Sequence, residues 1–303
     1  MKEPFQNEPL RDFSSEPARK AMLDALAQVK KNMGAEYDLR IGGERLQAEG
    51  KLRSVNPCRP TEVVGVHQQA SLEMAARAVE VADEKFRSWQ YTPPEKRSQY
   101  LFDAAQVMRR RRHELGAWMV YEVGKSWVEA DADVAEAIDF LEFYGRENLR
   151  LAEPQPVVPL AGEENELHYI PLGVTVVIPP WNFPLAILAG MTSAAIVAGN
   201  TVVLKPSSDS PTIGYKFFEI MEEVGLPDGV LNFVTGPGST VGDFLVKHPR
   251  TRMVAFTGSR EVGLGINEKA ARTEPGQIWI KRVIAEMGGK DAIIVDSEAD
   301  VDA

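Results

Sequence analysis

Cysteine and long hydrophobic runs are scarce in this sequence, and both shortages limit what the chain can be. Cys58 is the single cysteine among 303 residues, which excludes an intramolecular disulfide and any metal site built from several cysteines. The four histidines lack the spacing of metal ligands, so no metal site is predicted. The longest apolar run, residues 185–199, is too short to span a bilayer, and the first residues lack the features of a secretory signal. We expect a soluble protein of the cytoplasm, with an organelle matrix left open.

Positive charge is also in the minority. The chain has 34 Lys and Arg residues against 44 Asp and Glu residues, a net charge of −10. This balance argues against nucleic acid or an anionic membrane as the main partner. The basic run at residues 109–113 lies inside a predicted helix, and we interpret it as a solvated helix face.

From residue 172 onward, strand patterns and helix patterns alternate. Runs rich in β-branched residues predict strands at 172–178, 201–204, 230–234, 252–256 and 281–286. Helical spacing predicts helices between them at 185–198, 211–224, 239–247 and 260–271. Such alternation produces a parallel sheet that is covered on both faces. The predicted fold class is α/β, a Rossmann-like doubly wound parallel sheet with helices on both faces.

The remaining segments predict additions to this sheet. Helical patterns at 18–33, 71–86, 95–123 and 128–149 flank strand-like pieces between residues 37 and 66. Residues 154–171 form two short runs around a turn, which predicts a projecting β-hairpin for homo-oligomer contact. We expect an N-terminal helical arm at 1–50, a cofactor-binding domain at 51–290, and the first strand of a further domain at 291–303.

The turn after the first of these strands is the best candidate for chemistry. Ligands of doubly wound sheets bind just beyond the carboxyl ends of the strands. Here the chain reads IPPWNFP at positions 178–184, and its prolines end the strand because they supply no backbone N–H. Asn182 is therefore a candidate catalytic residue.

Lys205 ends the second strand of the series. At this position dinucleotide folds carry an acid for the ribose hydroxyls, or a cation where a 2′-phosphate must fit. A lysine hydrogen-bonds a hydroxyl and also tolerates a phosphate, so both NAD and NADP stay open. A solvated lysine is an equally good interpretation of this residue alone.

Two glycine-containing turns are candidates for binding phosphate. Gly238 and Gly242 follow a predicted strand and resemble a glycine-rich fingerprint with one residue too many. The sequence FTGS at 256–259 leaves the next strand and begins a helix, so its amides suit a pyrophosphate. A simple N-cap by Ser259 is the alternative.

A carboxylate closes the last strand of the series. Glu286 is followed by Met-Gly-Gly-Lys, and glycines let a ligand approach a carboxylate that acts as a general base. An edge carboxylate beside a turn is the alternative. The sequence Gly124-Lys125-Ser126 resembles the end of a phosphate-binding loop, but its first glycine is missing and no strand precedes it, so we reject that interpretation.

Together, these motifs resemble the aldehyde dehydrogenase superfamily from about Val55 to the last residue. PWNFP at 180–184, KPS at 205–207, FTGS at 256–259 and EMGGK at 286–290 have the order and spacing of that family. Residues 121–144 and 274–296 are similar to its 1-pyrroline-5-carboxylate (L-glutamate γ-semialdehyde) dehydrogenase branch, and residues 274–279 are the best branch marker.

The resemblance implies a role for each matching residue. Asn182 would stabilise the oxyanion of a thiohemiacetal, and Glu286 would activate the water that hydrolyses the thioester. Serine stands at 208 where many members carry glutamate, which leaves discrimination against NADP open. The implied cofactor is NAD, and the residues assigned to its groove are Ile178, Pro179, Pro180, Trp181, Lys205, Ser208, Gly238, Gly242, Phe256, Thr257, Gly258, Ser259, Val262, Met287 and Gly288.

The family's nucleophile is a cysteine beyond the EMGGK motif, and these 303 residues contain none there. Cys58 follows Asn56-Pro57 in a predicted turn, and we interpret it as a partly buried structural thiol. We therefore expect a truncated, inactive part of an enzyme that oxidises L-glutamate γ-semialdehyde to glutamate. Another aldehyde as the substrate, or a non-catalytic nucleotide-binding or subunit-interaction module, are the alternatives.

Overall fold

A computed structural model describes residues 4–300 of the chain. Its first part contains α1 (Glu16–Asn32) and five strands, β1 (Ala35–Tyr37), β2 (Leu39–Ile41), β3 (Glu44–Leu46), β4 (Gly50–Asn56) and β5 (Arg59–Gln69). Four helices follow, α2 (Leu72–Trp89), α3 (Pro94–Arg110), α4 (Arg112–Val123) and α5 (Trp127–Ala152). The alternating part contains β6 (Val174–Ile178), α6 (Ala186–Val197), β7 (Thr201–Leu204), α7 (Pro211–Glu223), β8 (Leu231–Phe233), a π-helical turn (Gly238–Gly242), α8 (Asp243–Lys247), β9 (Thr251–Gly258), α9 (Arg260–Ala271) and β10 (Arg282–Met287).

Seven strands form the central sheet, in the order β10-β9-β6-β7-β8-β2-β3. The five strands from β10 to β8 pair in parallel, whereas β2 is antiparallel to β8 and to β3. A second sheet contains β1, β5 and β4. The parallel strands and their helices match the predicted positions closely, and the doubly wound α/β fold is confirmed.

The sheet is buried on both faces because the side chains of each strand alternate between two cores. Val174 and Val176 of β6 pack in the core shared with α2, α8 and α9. Val177 and Leu204 point the other way, into the core formed with α3 to α7. Each valine buried in this way contributes roughly 1.5–3 kcal/mol, which explains why these strands are continuous apolar runs.

The predicted helix at 95–123 is two helices in the structure. Arg111, with φ −96° and ψ 13°, separates α3 from α4. The interpretation of residues 109–113 as a solvated face is wrong for Arg112, which is 2% exposed. Its guanidinium binds both carboxylate oxygens of Asp131 at 2.6 Å, because a charge this deeply buried requires a partner.

The predicted N-terminal arm is not a separate unit. Strands β2 and β3 belong to the central sheet, and Arg40 of β2 pairs with Phe233 of β8. The residues before α1 contact the helices: Glu8 accepts hydrogen bonds from Arg109 and Arg112. The boundary predicted at residue 50 is therefore wrong, because tertiary pairing recruits strands of only three residues.

The predicted hairpin at residues 154–171 does not form in the structure. The segment contains no strand and makes a single turn, where the amide of Glu163 donates to the carbonyl of Leu160 at 3.2 Å. Prolines at 154, 156, 159 and 171 supply no N–H for a ladder, and the apolar side chains between them are exposed.

The strand predicted at 291–303 also differs from the structure. Residues 291–296 have no strand partner, and Ile293 and Ile294 are more than 90% exposed. A strand needs a neighbour for its backbone groups, and the described residues provide none here. Residues 301–303 of this prediction lie outside the described range. No helix within residues 4–300 is long and apolar enough to cross a bilayer.

Candidate functional site

The parallel strands bring most of the predicted site residues to one edge of the sheet. Ile178 at the end of β6 is level with Phe256 of β9, and Thr257 of β9 is level with Glu286 of β10. Lys205 directly follows β7. Because all these strands are parallel, their carboxyl ends and the turns beyond them lie side by side.

The turn between β6 and α6 carries Asn182. Pro179 is buried against the sheet, whereas Trp181, Asn182 and Phe183 are exposed. The first amide of α6, on Ala186, donates to a side chain from another helix, the carboxylate of Asp133, at 2.6 Å. The sequence at the turn thus ends the strand with proline and presents three side chains at the edge.

Lys205 is buried beneath this edge rather than solvated. It is 3% exposed, and its Nζ donates to the carbonyl of Pro206 at 3.0 Å. Burial lowers the pKa of its ammonium group to about 8. A Cβ added to Gly242 would lie 3.3 Å from Cε of Lys205, so the structure places these two predicted residues in contact. Ser208 is half-buried in the following loop.

The beginning of α9 has the form of a site for an anion. Ser259 is the N-cap, and its hydroxyl accepts from the amide of Val262 at 3.4 Å, so the alternative of a simple N-cap is present. Gly258 cannot be replaced without movement, since a Cβ there would lie 2.6 Å from Cζ of Phe256. A helix N-terminus with exposed amides can bind phosphate as well as a cap.

Glu286 faces a cavity of about 1180 Å³ on one face of the sheet. Thr257 lies beside it on β9, and Ile187 and Met191 of α6 form the adjacent wall. The amide of Ile187 donates to the carbonyl of Phe183 at 3.4 Å, which connects this wall to the turn that carries Asn182. The cavity lining does not include Asn182 itself, within the described residues.

The residue after Glu286 points to the opposite face. Met287 packs in the core with α9, where a Cβ on Gly263 would lie 2.6 Å from its Sδ. Space is open around Gly288 and Gly238, where an added Cβ would meet no atom within 4 Å. The structure thus separates Met287 from the carboxylate while keeping both at the carboxyl edge of the sheet.

Cys58 is exposed, so its interpretation as a partly buried thiol is wrong. It lies in the tight turn between β4 and β5, where its amide donates to Oδ1 of Asn56 at 3.0 Å. This turn belongs to the three-stranded sheet and not to the edge that carries Glu286. The residues on both sides of Cys58 are also at the surface, so the whole turn is exposed.

Sequence reasoning missed two buried acids that hold the turns of this edge. Glu122 of α4 accepts from the hydroxyl of Ser54 and from the amides of Thr212 and Ile213 at the start of α7. Burial raises the pKa of its carboxyl group. Asp133 of α5 likewise accepts from the amide of Ala186 at the start of α6. Only the pairing of distant segments identifies these roles, and no local pattern marks either residue.

Comparison with known proteins agrees with the motifs. A sequence model of the aldehyde dehydrogenase family matches residues 45–303. The 1-pyrroline-5-carboxylate dehydrogenase of Geobacillus kaustophilus (strain HTA426) is 58% identical over 302 residues, which cover 100% of this chain and 59% of that protein. The chain thus spans less than two thirds of the length of this relative.

Solved structures show the same relationship. A 1-pyrroline-5-carboxylate dehydrogenase from Thermus with bound NAD superimposes with a TM-score of 0.93 at 52% identity, covering 95% of this chain and 56% of that one. Proline utilization A (PutA) from Bdellovibrio bacteriovorus gives a TM-score of 0.95 at 44% identity, covering 100% of this chain and 32% of that one. Both the fold and the resemblance predicted from the motifs are confirmed. The chain belongs to the aldehyde dehydrogenase family.

Proposed function

We propose that this chain is the cofactor-binding and water-activating part of an NAD(P)-dependent enzyme that oxidises L-glutamate γ-semialdehyde, the open form of 1-pyrroline-5-carboxylate, to L-glutamate. The observation that carries the proposal is the carboxyl edge of the sheet, where Glu286 of β10 faces a cavity whose α6 wall begins directly after the turn with Asn182. The similarity to 1-pyrroline-5-carboxylate dehydrogenases over the whole chain supports the choice of substrate.

The residues at this edge fit a dinucleotide. Lys205 rests against Gly242, the space around Gly238 is open, and the first residues of α9 are exposed beside Ser259. Lys205 and Ser208 would hold the adenosine ribose, and Ser259 the pyrophosphate. The bound cofactor supplies the acceptor for a hydride from the substrate carbon.

Two side chains of this chain would act on the substrate. The amide of Asn182 donates a hydrogen bond to the aldehyde oxygen as that oxygen gains negative charge. Glu286 accepts a proton from water, which then attacks the oxidised carbon. The carboxylate is exposed to the cavity on the same face of the sheet as Thr257, so water reaches it.

We further propose that these 303 residues alone do not oxidise the aldehyde. The single thiol is on the β4–β5 turn, away from the edge that carries Glu286. Without a thiolate beside that carboxylate, the covalent intermediate that donates the hydride does not form. Contact between copies of the chain through residues 154–171, and a cytoplasmic location, remain predictions.

Calorimetric titration with NAD and NADP tests the cofactor proposal. The chain should bind a dinucleotide, and Lys205→Met should weaken binding on the order of tenfold, because a buried donor to the ribose is lost. Lys96→Met is the matched control. Lys96 is exposed on α3, and its neighbour Arg97 donates to the carbonyl of Val197 at the C-terminal end of α6. Equal affinity of the parent and the Lys205 variant would contradict the assignment.

An assay for NADH tests the second proposal. With NAD and L-glutamate γ-semialdehyde, the isolated chain should form no NADH above the rate without protein. Any turnover by the parent that Glu286→Gln abolishes would show that the chain is a complete catalyst.

A further inference from the structure

The turn that carries Asn182 has no cap of its own. Leu185 stands at the N-cap position of α6 in helical geometry, and its side chain makes no capping hydrogen bond. The acceptor comes instead from α5, where Asp133 Oδ1 lies 2.6 Å from the amide nitrogen of Ala186. The end of the turn is thus fixed by a carboxylate that is distant in sequence.

A second contact reaches the same turn. Nζ of Lys125 lies 3.0 Å from Oδ2 of Asp133 and 3.8 Å from the centroid of the Phe183 ring. Asp133 is completely buried, and Lys125 is 9% exposed. Lys125 therefore connects the carboxylate under Ala186 with the ring of the residue that follows Asn182.

The connection between α4 and α5 fixes the position of Lys125. Gly124, with φ 71°, ends α4 in the left-handed conformation that favours glycine. Ser126 begins α5 in a capping box with Glu129, each side chain meeting the other's backbone amide. The sequence Gly-Lys-Ser, rejected above as a phosphate-binding loop, thus places one lysine between two helix caps.

A buried ion pair such as Lys125 and Asp133 is weak evidence for a contribution to stability. Replacing a buried ion pair by apolar side chains of similar size is often neutral for stability, whereas removing one partner leaves an uncompensated charge. Burial raises the pKa of the Asp133 carboxyl, and the charge of Lys125 opposes that shift. The charged pair, however, contacts both the Phe183 ring, through Lys125, and the first amide of α6, through Asp133.

We propose that Lys125 and Asp133 are positioning residues that fix the turn at residues 179–185 and with it the amide of Asn182. This inference rests on the proposed function for its catalytic meaning, but the hold on the turn is a property of the chain itself. Asp133 anchors the helix end, and Lys125 anchors the aromatic neighbour, so Asn182 is restrained from its C-terminal side.

Hydrogen exchange followed by mass spectrometry tests the hold on the turn. Peptides covering residues 179–190 should exchange on the order of tenfold faster in Lys125→Met than in the parent, because the ring contact and the charge partner are both lost. Lys125→Arg should restore slow exchange, since a guanidinium also pairs with Asp133 and stacks on Phe183.

Lys216→Met is the matched control. Lys216 is equally buried, lies over the rings of Tyr37 and Trp118, and pairs with Glu219 of α7, away from the turn. Exchange of residues 179–190 should stay at the parent rate in this variant. The proposal is overturned if Lys125→Met leaves that exchange unchanged, or if Lys216→Met accelerates it equally.

Titration of the same variants with NAD adds a functional readout. If the turn lines the cofactor groove, Lys125→Met should weaken NAD binding several-fold and Lys125→Arg should restore it. If the parent does not bind NAD, the proposed function fails, and the exchange comparison still decides whether the pair holds the turn. Parent affinity in Lys125→Met together with faster exchange would overturn the functional part of the inference.

Discussion

Replacing Glu122 gives the sharpest test of how this fold holds its functional edge. Its carboxylate accepts hydrogen bonds from Oγ of Ser54 at 2.7 Å and from the amides of Thr212 and Ile213 at 2.8 Å each. Ser210, the N-cap of α7, provides no side-chain cap. Glu122→Ala therefore leaves one hydroxyl and two helix amides without an acceptor.

The cost of this substitution follows from the number of groups left unpaired. Each buried donor that loses its acceptor costs about 1–3 kcal/mol. A cavity adds to this, whereas water entering the space left by the side chain satisfies some of the donors. We expect Glu122→Ala to lower the free energy of unfolding by about 3–5 kcal/mol, a large part of the 5–15 kcal/mol typical of a folded domain.

Urea denaturation followed by circular dichroism measures this loss, and Glu80→Ala is the matched control. Glu80 is exposed on α2, and its replacement should change the free energy of unfolding by less than about 0.5 kcal/mol. A loss below about 1 kcal/mol for Glu122→Ala would refute the claim that this carboxylate caps α7.

The pH dependence of the isosteric variant provides a second check of the same reasoning. Burial raises the pKa of Glu122 in the folded protein, so the stability this group contributes is present at low pH and is lost as pH rises through the folded pKa. Glu122→Gln does not titrate. The free energy of unfolding of Glu122→Gln, relative to that of the parent, should therefore increase as pH rises. A difference that is constant with pH would contradict this account.

Further predictions follow from contacts of three residues, Lys205, Gly258 and Arg112. Because burial lowers the pKa of Lys205 to about 8, the folded chain binds fewer protons than the unfolded chain above that pH. In denaturation curves, the stability of the parent relative to Lys205→Met should rise from about pH 8 to about pH 10.4. Over the same range, the affinity of the parent for NADP in titrations should fall. Gly258→Ala should lower stability by about 1–3 kcal/mol in thermal melts, since the new methyl group meets Phe256 at 2.6 Å. Arg112→Met should cost about 3–5 kcal/mol, because the buried Asp131 carboxylate loses its cation and keeps only the amide of Arg11 as a partner within the described residues. Adding Asp131→Leu should recover part of that loss in urea denaturation.

The parallel core of this fold could be predicted from the sequence because local and tertiary preferences coincide there. Residues 201–204 are four apolar or β-branched residues between turn signals, and the structure buries all four. The turn at 179–185 was equally readable, since two prolines end β6. In both cases, one segment contains the information that determines its structure.

The other features depend on partners that lie far away in the sequence. Strand β2 forms because it pairs with β3 and, through Arg40 and Phe233, with the distant strand β8. Cys58 is exposed because of where the tertiary fold places its turn, and the residues next to it in sequence do not determine that position. The supports of Asn182, the pair Lys125 and Asp133, are also invisible in any local pattern, and the site roles themselves remain predictions.

The alternation of side chains along β10 has a consequence for how this chain can change. Glu286 and Met287 are neighbours in sequence, yet one faces the cavity and the other packs beneath α9. Inserting or deleting one residue within the strand would exchange these two destinations, driving a carboxylate into the apolar layer and a thioether into water. The length of this strand is therefore as constrained as its composition. We expect β10 to tolerate substitutions better than insertions or deletions.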